Sequence, residues 1–94
     1  MVKKVIKKDG KKQGFDSKKI KKCLTKACKG RKISKTQLKK LENKILKEVT
    51  ELSYDGEITT AQIRDIVLKN LNRLHPALVK AWIAYEILKL QQVG

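Results

Sequence analysis

The chain has 94 residues, of which 40% are apolar and 35% charged, and a formal net charge of +15. That length allows one domain with a small core and leaves no room for two, and the apolar share argues against wholesale disorder. The first 20 residues contain no apolar run, so neither a signal peptide nor a membrane span is expected there, and the expected location is cytoplasmic.

The charge is divided unequally. Residues 1–47 carry 18 lysines and Arg31 against three acids, a net +16, whereas residues 48–94 carry five cations against six acids, a net −1. Such asymmetry points to a polyanionic partner, whether nucleotide, nucleic acid or membrane surface. The plainer reading of most individual lysines is a solvated surface, as lysine-rich thermophile proteins carry. Cys23 and Cys28 lie five apart without a Cys-x-x-Cys spacing or histidine partners, so they read as small buried hydrophobes rather than a zinc or disulfide framework.

In chain order, the first predicted element is a hairpin over residues 2–15. Its Asp9-Gly10 pair predicts a two-residue turn with both central residues at positive φ. Phe15-Asp16 followed by Ile20 predicts a helix start, with Asp16 as cap and Phe15 and Ile20 as the hydrophobic staple. Ile20, Cys23, Leu24, Ala27 and Cys28 fall on one face of this helix, about 16–28, and Lys29-Gly30 supplies its stop. Ser34 and Gln37 form a capping box, stapled by Ile33 and Leu38, for a helix over about 34–53 with Leu38, Leu41, Ile45, Val49 and Leu52 inward.

The same device returns downstream. Thr59 and Gln62, stapled by Ile58 and Ile63, open a third helix over about 59–74 that buries Ile63, Ile66, Val67, Leu71 and Leu74. Pro76 sits in the first turn of a fourth helix, about 76–91, whose stripe is Leu78, Ala81, Trp82, Tyr85 and Leu88. A lone His75 before that proline reads as a turn residue rather than a catalyst. Four helices with short links, preceded by a hairpin, is the architecture the residues give.

Several stretches resemble a known family. Val5-x-Lys7-Lys8-Asp9-Gly10, then Phe15-Asp16-x-x-Lys19-Ile20, is similar to the opening of the ATP-cone. That family is the regulatory ATP/dATP-binding domain at the front of many ribonucleotide reductases and the second half of the bacterial repressor of their genes. Residues 58–67, opening on Ile58-Thr59-Thr60-Ala61-Gln62-Ile63, resemble its segment opening the third helix. Leu74-His75-Pro76 and residues 79–85 resemble its closing helix. Lys8 and Gln13 stand where the family more often has arginine and glutamate, and Tyr85-Glu86 where it usually has tyrosine-arginine. The resemblance implies a mostly α (α+β) fold, with the hairpin and a short third strand near Glu57-Ile58 over a four-helix bundle, as one ATP-cone domain over residues 1–94.

It also implies a ligand, ATP or dATP with or without Mg2+, and a set of contacts. Lys7, Lys8 and Lys19 match phosphate-contacting positions, Thr60 and Arg64 match contacts at the start of the third helix, and Gln13 and Asp16 match positions near ribose and base. Lys89 is a further candidate on the last helix. Cations beside a helix N-terminus suit a polyphosphate on physical grounds as well. Asp16 reads equally as a plain N-cap, and Thr60 as an ordinary first-turn residue. Lys11, Lys12 and Lys18 read as solvated charge. The sequence contains no Gly-x-x-x-x-Gly-Lys-Ser/Thr loop and no evident nucleophile–base pair, so binding without turnover is the expectation.

The expected role is therefore a nucleotide sensor that biases its association with itself, with a ribonucleotide-reductase-type protein or with a transcriptional regulator, and not with a membrane. The alternative is a small basic nucleic-acid-binding protein using the lysine-rich half. Three arginines against 21 lysines weigh against base reading, and four aromatics that read as mostly buried weigh against single-strand stacking. Nonspecific phosphate binding stays open.

Overall fold

A computed structural model of the chain describes residues 2–93, with side chains as far as Ala84. The element order is β1 (Lys4–Ile6), β2 (Lys12–Gly14), α1 (Ser17–Cys28), α2 (Lys35–Leu52), β3 (Glu57–Thr59), α3 (Thr60–Leu74) and α4 (Pro76–Val93). The strands form one sheet in the order β2-β1-β3, with β1 antiparallel to β2 and parallel to β3. This is the mostly helical α+β arrangement expected, third strand included.

The register of the sheet decides which side chains face the helices. Val5 stands opposite both Gln13 and Ile58, so these three form one row across the sheet. Alternation then puts Lys4, Lys12, Gly14 and Glu57 on the other side, where Lys12 Nζ lies 2.9 Å from Glu57 Oε2. Beneath the inner row, every helix contributes a fully buried side chain: Leu24 from α1, Ile45 and Val49 from α2, Val67 and Leu71 from α3, Leu78 from α4, with Ile58 from β3. Each such burial contributes roughly 1.5–3 kcal/mol, so this cluster fixes the stacking of sheet on helices.

The helix starts obey the capping chemistry. Asp16 accepts the Lys18 N–H at 2.9 Å, and both reciprocal boxes form, Ser34 with Gln37 and Thr59 with Gln62. His75 serves two helices. Its N–H donates to the Leu71 carbonyl at the end of α3, and its Nδ1 accepts the Ala77 N–H at the start of α4.

Several expectations need correction. The Asp9-Gly10 turn is not a two-residue turn with paired positive φ; only Gly10 is there, at +84°. Gly10 N–H donates to the Lys7 carbonyl and Lys7 N–H to the Lys11 carbonyl, which leaves a three-residue loop ending in a glycine bulge. The Asp9 carboxylate accepts the Lys11 N–H instead and holds that loop. The paired positive φ belongs to Asp55 (+53°) and Gly56 (+76°), where Tyr54 and Glu57 exchange both backbone bonds.

Leu52 and Leu74, expected inside, are exposed, because each lies on the last turn of its helix, beyond the reach of the packed layer. Cys28 is buried, while Cys23 is only half-buried at the edge of the α1 stripe. Phe15 and Trp82 pack partly buried against the core, but Tyr54, at the base of the Asp55-Gly56 turn, has 86% of its surface exposed. Tyr85 and Leu88 lie outside the residues whose side chains are described.

Candidate functional site

Two helix N-termini open onto one cleft under the hairpin. Val5 and Gln13 reach it from the sheet, Asp16 and Lys19 from the first turn of α1, and Thr60 and Ile63 from the first turn of α3. Gly14, Phe15 and Ile20 complete the lining of a cavity of about 180 Å3. Local sequence explains the convergence. The Asp16 and Thr59 caps start α1 and α3 directly after β2 and β3, so both helices begin at the sheet and run away from it.

The lining divides by chemistry. Val5, Phe15, Ile20 and Ile63 make an apolar floor, and Gln13, Asp16, Lys19 and Thr60 bring polar groups above it. The positive ends of two helix dipoles add to Lys19, so this cleft favours an anion with an apolar body. Among the described residues Asp16 is the only carboxylate in the lining, and it is committed in part to the Lys18 amide.

Of the residues singled out from sequence, Gln13, Asp16, Lys19 and Thr60 come together in this cleft. Lys7 and Lys8 are exposed on the hairpin tip, outside the lining, and Arg64 is exposed one turn beyond Thr60 on α3. Lys89 lies outside the described side chains. Sequence reasoning misses the apolar floor as a ligand surface. Phe15, Ile20 and Ile63 read there as staple residues, and Ile20 and Ile63 also as core; two staples whose helices start at one sheet are the signal that could have marked them.

Cysteine chemistry lies elsewhere. Burial pushes the Cys28 thiol above its ordinary pKa, only partly opposed by the nearby Arg31 charge, with Glu42 adding to the rise. A thiol so placed is a packing group rather than a nucleophile. Among the described residues, no three His, Cys, Asp or Glu side chains gather as a metal site, and no helix is long and apolar enough to cross a membrane.

A three-stranded cap on four helices, with an anion-favouring cleft where two helices start, defines a small α+β domain. The chain belongs to the ATP cone domain family, whose sequence profile matches residues 3–90. It is also similar to the transcriptional repressor NrdR of Solibacter usitatus, with 39% identity over 70 residues, 74% of this chain and 45% of the repressor. The NrdR proteins of Carboxydothermus hydrogenoformans and Thermotoga neapolitana match the same share of the chain at 37% and 36% identity, covering 45% and 44% of their own lengths. The chain thus spans about half the length of these relatives.

Proposed function

We propose that this protein is a regulatory module that binds ATP or dATP in the cleft under the hairpin and answers by changing its association with itself or a partner. The observation that carries the proposal is the convergence of Gln13, Asp16, Lys19 and Thr60 over an apolar floor in a member of the ATP cone family. At about 180 Å3 the cavity is smaller than the roughly 300 Å3 at which drug-sized ligand pockets begin, so it suits a base and sugar rather than a whole nucleotide. The triphosphate then runs outward, where Lys19 and the exposed hairpin lysines Lys7 and Lys8 supply charge, with Arg64 a turn beyond Thr60. Mg2+ in this reading rides on the phosphates with its own waters, because the described lining offers it a single carboxylate, Asp16.

The relatives named as transcriptional repressors support a transcriptional regulator as the controlled partner, and the family a ribonucleotide-reductase-type protein as the other candidate. The roles of Gln13 and Asp16 at base and ribose, and the absence of turnover, belong to the same proposal. Titration calorimetry tests it. ATP or dATP should bind one-to-one, and Lys19→Ala should weaken binding by about 1.5–3 kcal/mol, the scale of one lost charge-assisted hydrogen bond. No saturation by ATP, dATP or ADP at millimolar concentration would defeat the reading.

A further inference from the structure

A second cleft lies at the opposite end of α3, between that helix and α2. Leu41 and Leu74 form its floor, and Gln37, Lys40, Lys44 and Arg73 surround a cavity of about 280 Å3. The sequence spacing makes this face: Gln37, Lys40, Leu41 and Lys44 recur at helical intervals on α2, as do Asn70, Arg73 and Leu74 on α3. Among the described residues, every charged group in the lining is a cation. The Gln37 side-chain oxygen accepts the Ser34 N–H at 3.1 Å, and the amide nitrogen of the same side chain is a donor. Leu74 remains 37% exposed. The width of the cleft is fixed from below, where buried Asn70 donates to the Glu48 carboxylate on α2 at 3.0 Å and to the Ile66 carbonyl at 2.8 Å.

A cationic rim over a leucine floor selects an anion that brings its own apolar group. A free phosphate would leave the leucines wet. Single-stranded nucleic acid finds no aromatic platform among the described residues of this lining, and lysine-dominated rims read bases poorly. An amphipathic helix with leucine-type anchors between carboxylates satisfies floor and rim together. We propose that the α2–α3 cleft docks an acidic amphipathic segment of a partner protein, with its apolar anchor on Leu41 and Leu74 and its carboxylates on Lys40, Lys44 and Arg73. The +16 charge of residues 1–47, which include Lys40 and Lys44, attracts such an acidic partner from a distance. Arg73 lies ten residues beyond Ile63, roughly 15 Å along α3, so the cleft is separate from the nucleotide cleft and does not depend on it.

Fluorescence anisotropy on the full chain at 150 mM salt, about physiological strength, tests this with a labelled helical peptide. The probe carries two leucines four residues apart, flanked by glutamates. It should saturate one-to-one. The pair Lys44→Glu and Arg73→Glu should weaken it at least tenfold, roughly a 1.4 kcal/mol effect, and Lys40→Gln with Lys44→Gln should weaken it in the same direction if the first pair fails to fold. Lys29→Glu with Lys32→Glu, the same charge change on exposed residues elsewhere, should leave affinity within about twofold, and ATP binding should be unchanged in all of them. Equal loss in the Lys29/Lys32 pair, equal affinity for a peptide with serines in place of the leucines, or no saturation would overturn the proposal. So would tighter binding of a short single-stranded DNA that is lost in the Lys44/Arg73 pair, which would assign the cleft to nucleic acid.

Discussion

Asn70 is buried to 3% exposure, and its amide bridges α3 to Glu48 on α2. Lys69 approaches the same carboxylate oxygen at 3.2 Å. Partial burial alone would raise the Glu48 pKa, but the Asn70 and Lys69 hydrogen bonds, with the charges of Lys69 and Lys44, outweigh it and hold the carboxyl below its ordinary value. A lowered carboxyl pKa contributes stability that is present above its unfolded value, near 4.5, and lost as pH falls through the lower folded value. Urea unfolding tracked across the acid range should therefore show a shallower loss of stability in Glu48→Gln than in the parent. Asn70→Ala should cost about 1–3 kcal/mol in the same experiment, because the Ile66 carbonyl and Glu48 each lose a donor. Nothing in the helical pattern marks Asn70 as buried, since an asparagine on an apolar stripe becomes favourable only when a specific partner arrives from another helix.

At the scale of elements, two Asp-Gly pairs with the same local signal adopt different turns. Asp55-Gly56 takes the two-residue form, and Asp9-Gly10 the longer loop with a bulge. Strand pairing beside each turn sets the difference. The Gly56 carbonyl accepts both the Lys3 and Lys4 N–H groups, which draws β3 tightly onto β1, whereas beyond β1 and β2 the Lys7 N–H still reaches the Lys11 carbonyl and leaves three residues to span. Gly56→Ala should destabilise the fold by about 1–2 kcal/mol through its positive φ alone. The capping boxes, by contrast, are fully legible, because their partners lie three residues apart. Thr59→Ala should cost about 1 kcal/mol by losing the bond to the Gln62 N–H, read as a lowered urea midpoint with an unchanged slope.

For the whole molecule, the uneven charge sets up a contest between a pocket and a surface. A nucleotide held in the cleft under the hairpin should show a shallow salt dependence and discriminate among bases and sugars. Nucleic acid spread over the lysine-rich half should lose affinity steeply with salt, since each neutralised phosphate releases counterion. Sedimentation velocity with and without ATP or dATP reads the second half of the proposed function, a change in association, which for a modest coupling of ~1–3 kcal/mol is visible as a shifted profile. ATP binding with an unchanged sedimentation profile would retain the module and remove the switch from this chain. Tight DNA binding at physiological salt with inert nucleotides would favour the nucleic-acid reading instead.

The sequence alone determined whatever rests on neighbours within about four residues: the three capped helix starts at Asp16, Ser34 and Thr59, the proline start at Pro76, and the apolar stripes centred on Leu24, Ile45 and Val67. Resemblance to the ATP-cone added the third strand, which three residues of β3 would not have declared by periodicity. Tertiary structure decided how these pieces meet. Only the β2-β1-β3 register sets Gln13, Val5 and Ile58 in one row, and only the common start of α1 and α3 at that sheet gathers Gln13, Asp16, Lys19 and Thr60 into a cleft while Lys7 and Lys8 stay on the tip. Hydrogen bonds of caps and turns form between close neighbours and are written locally. A cleft is made by chains distant in sequence, and its lining is chosen by packing, which no single stretch encodes.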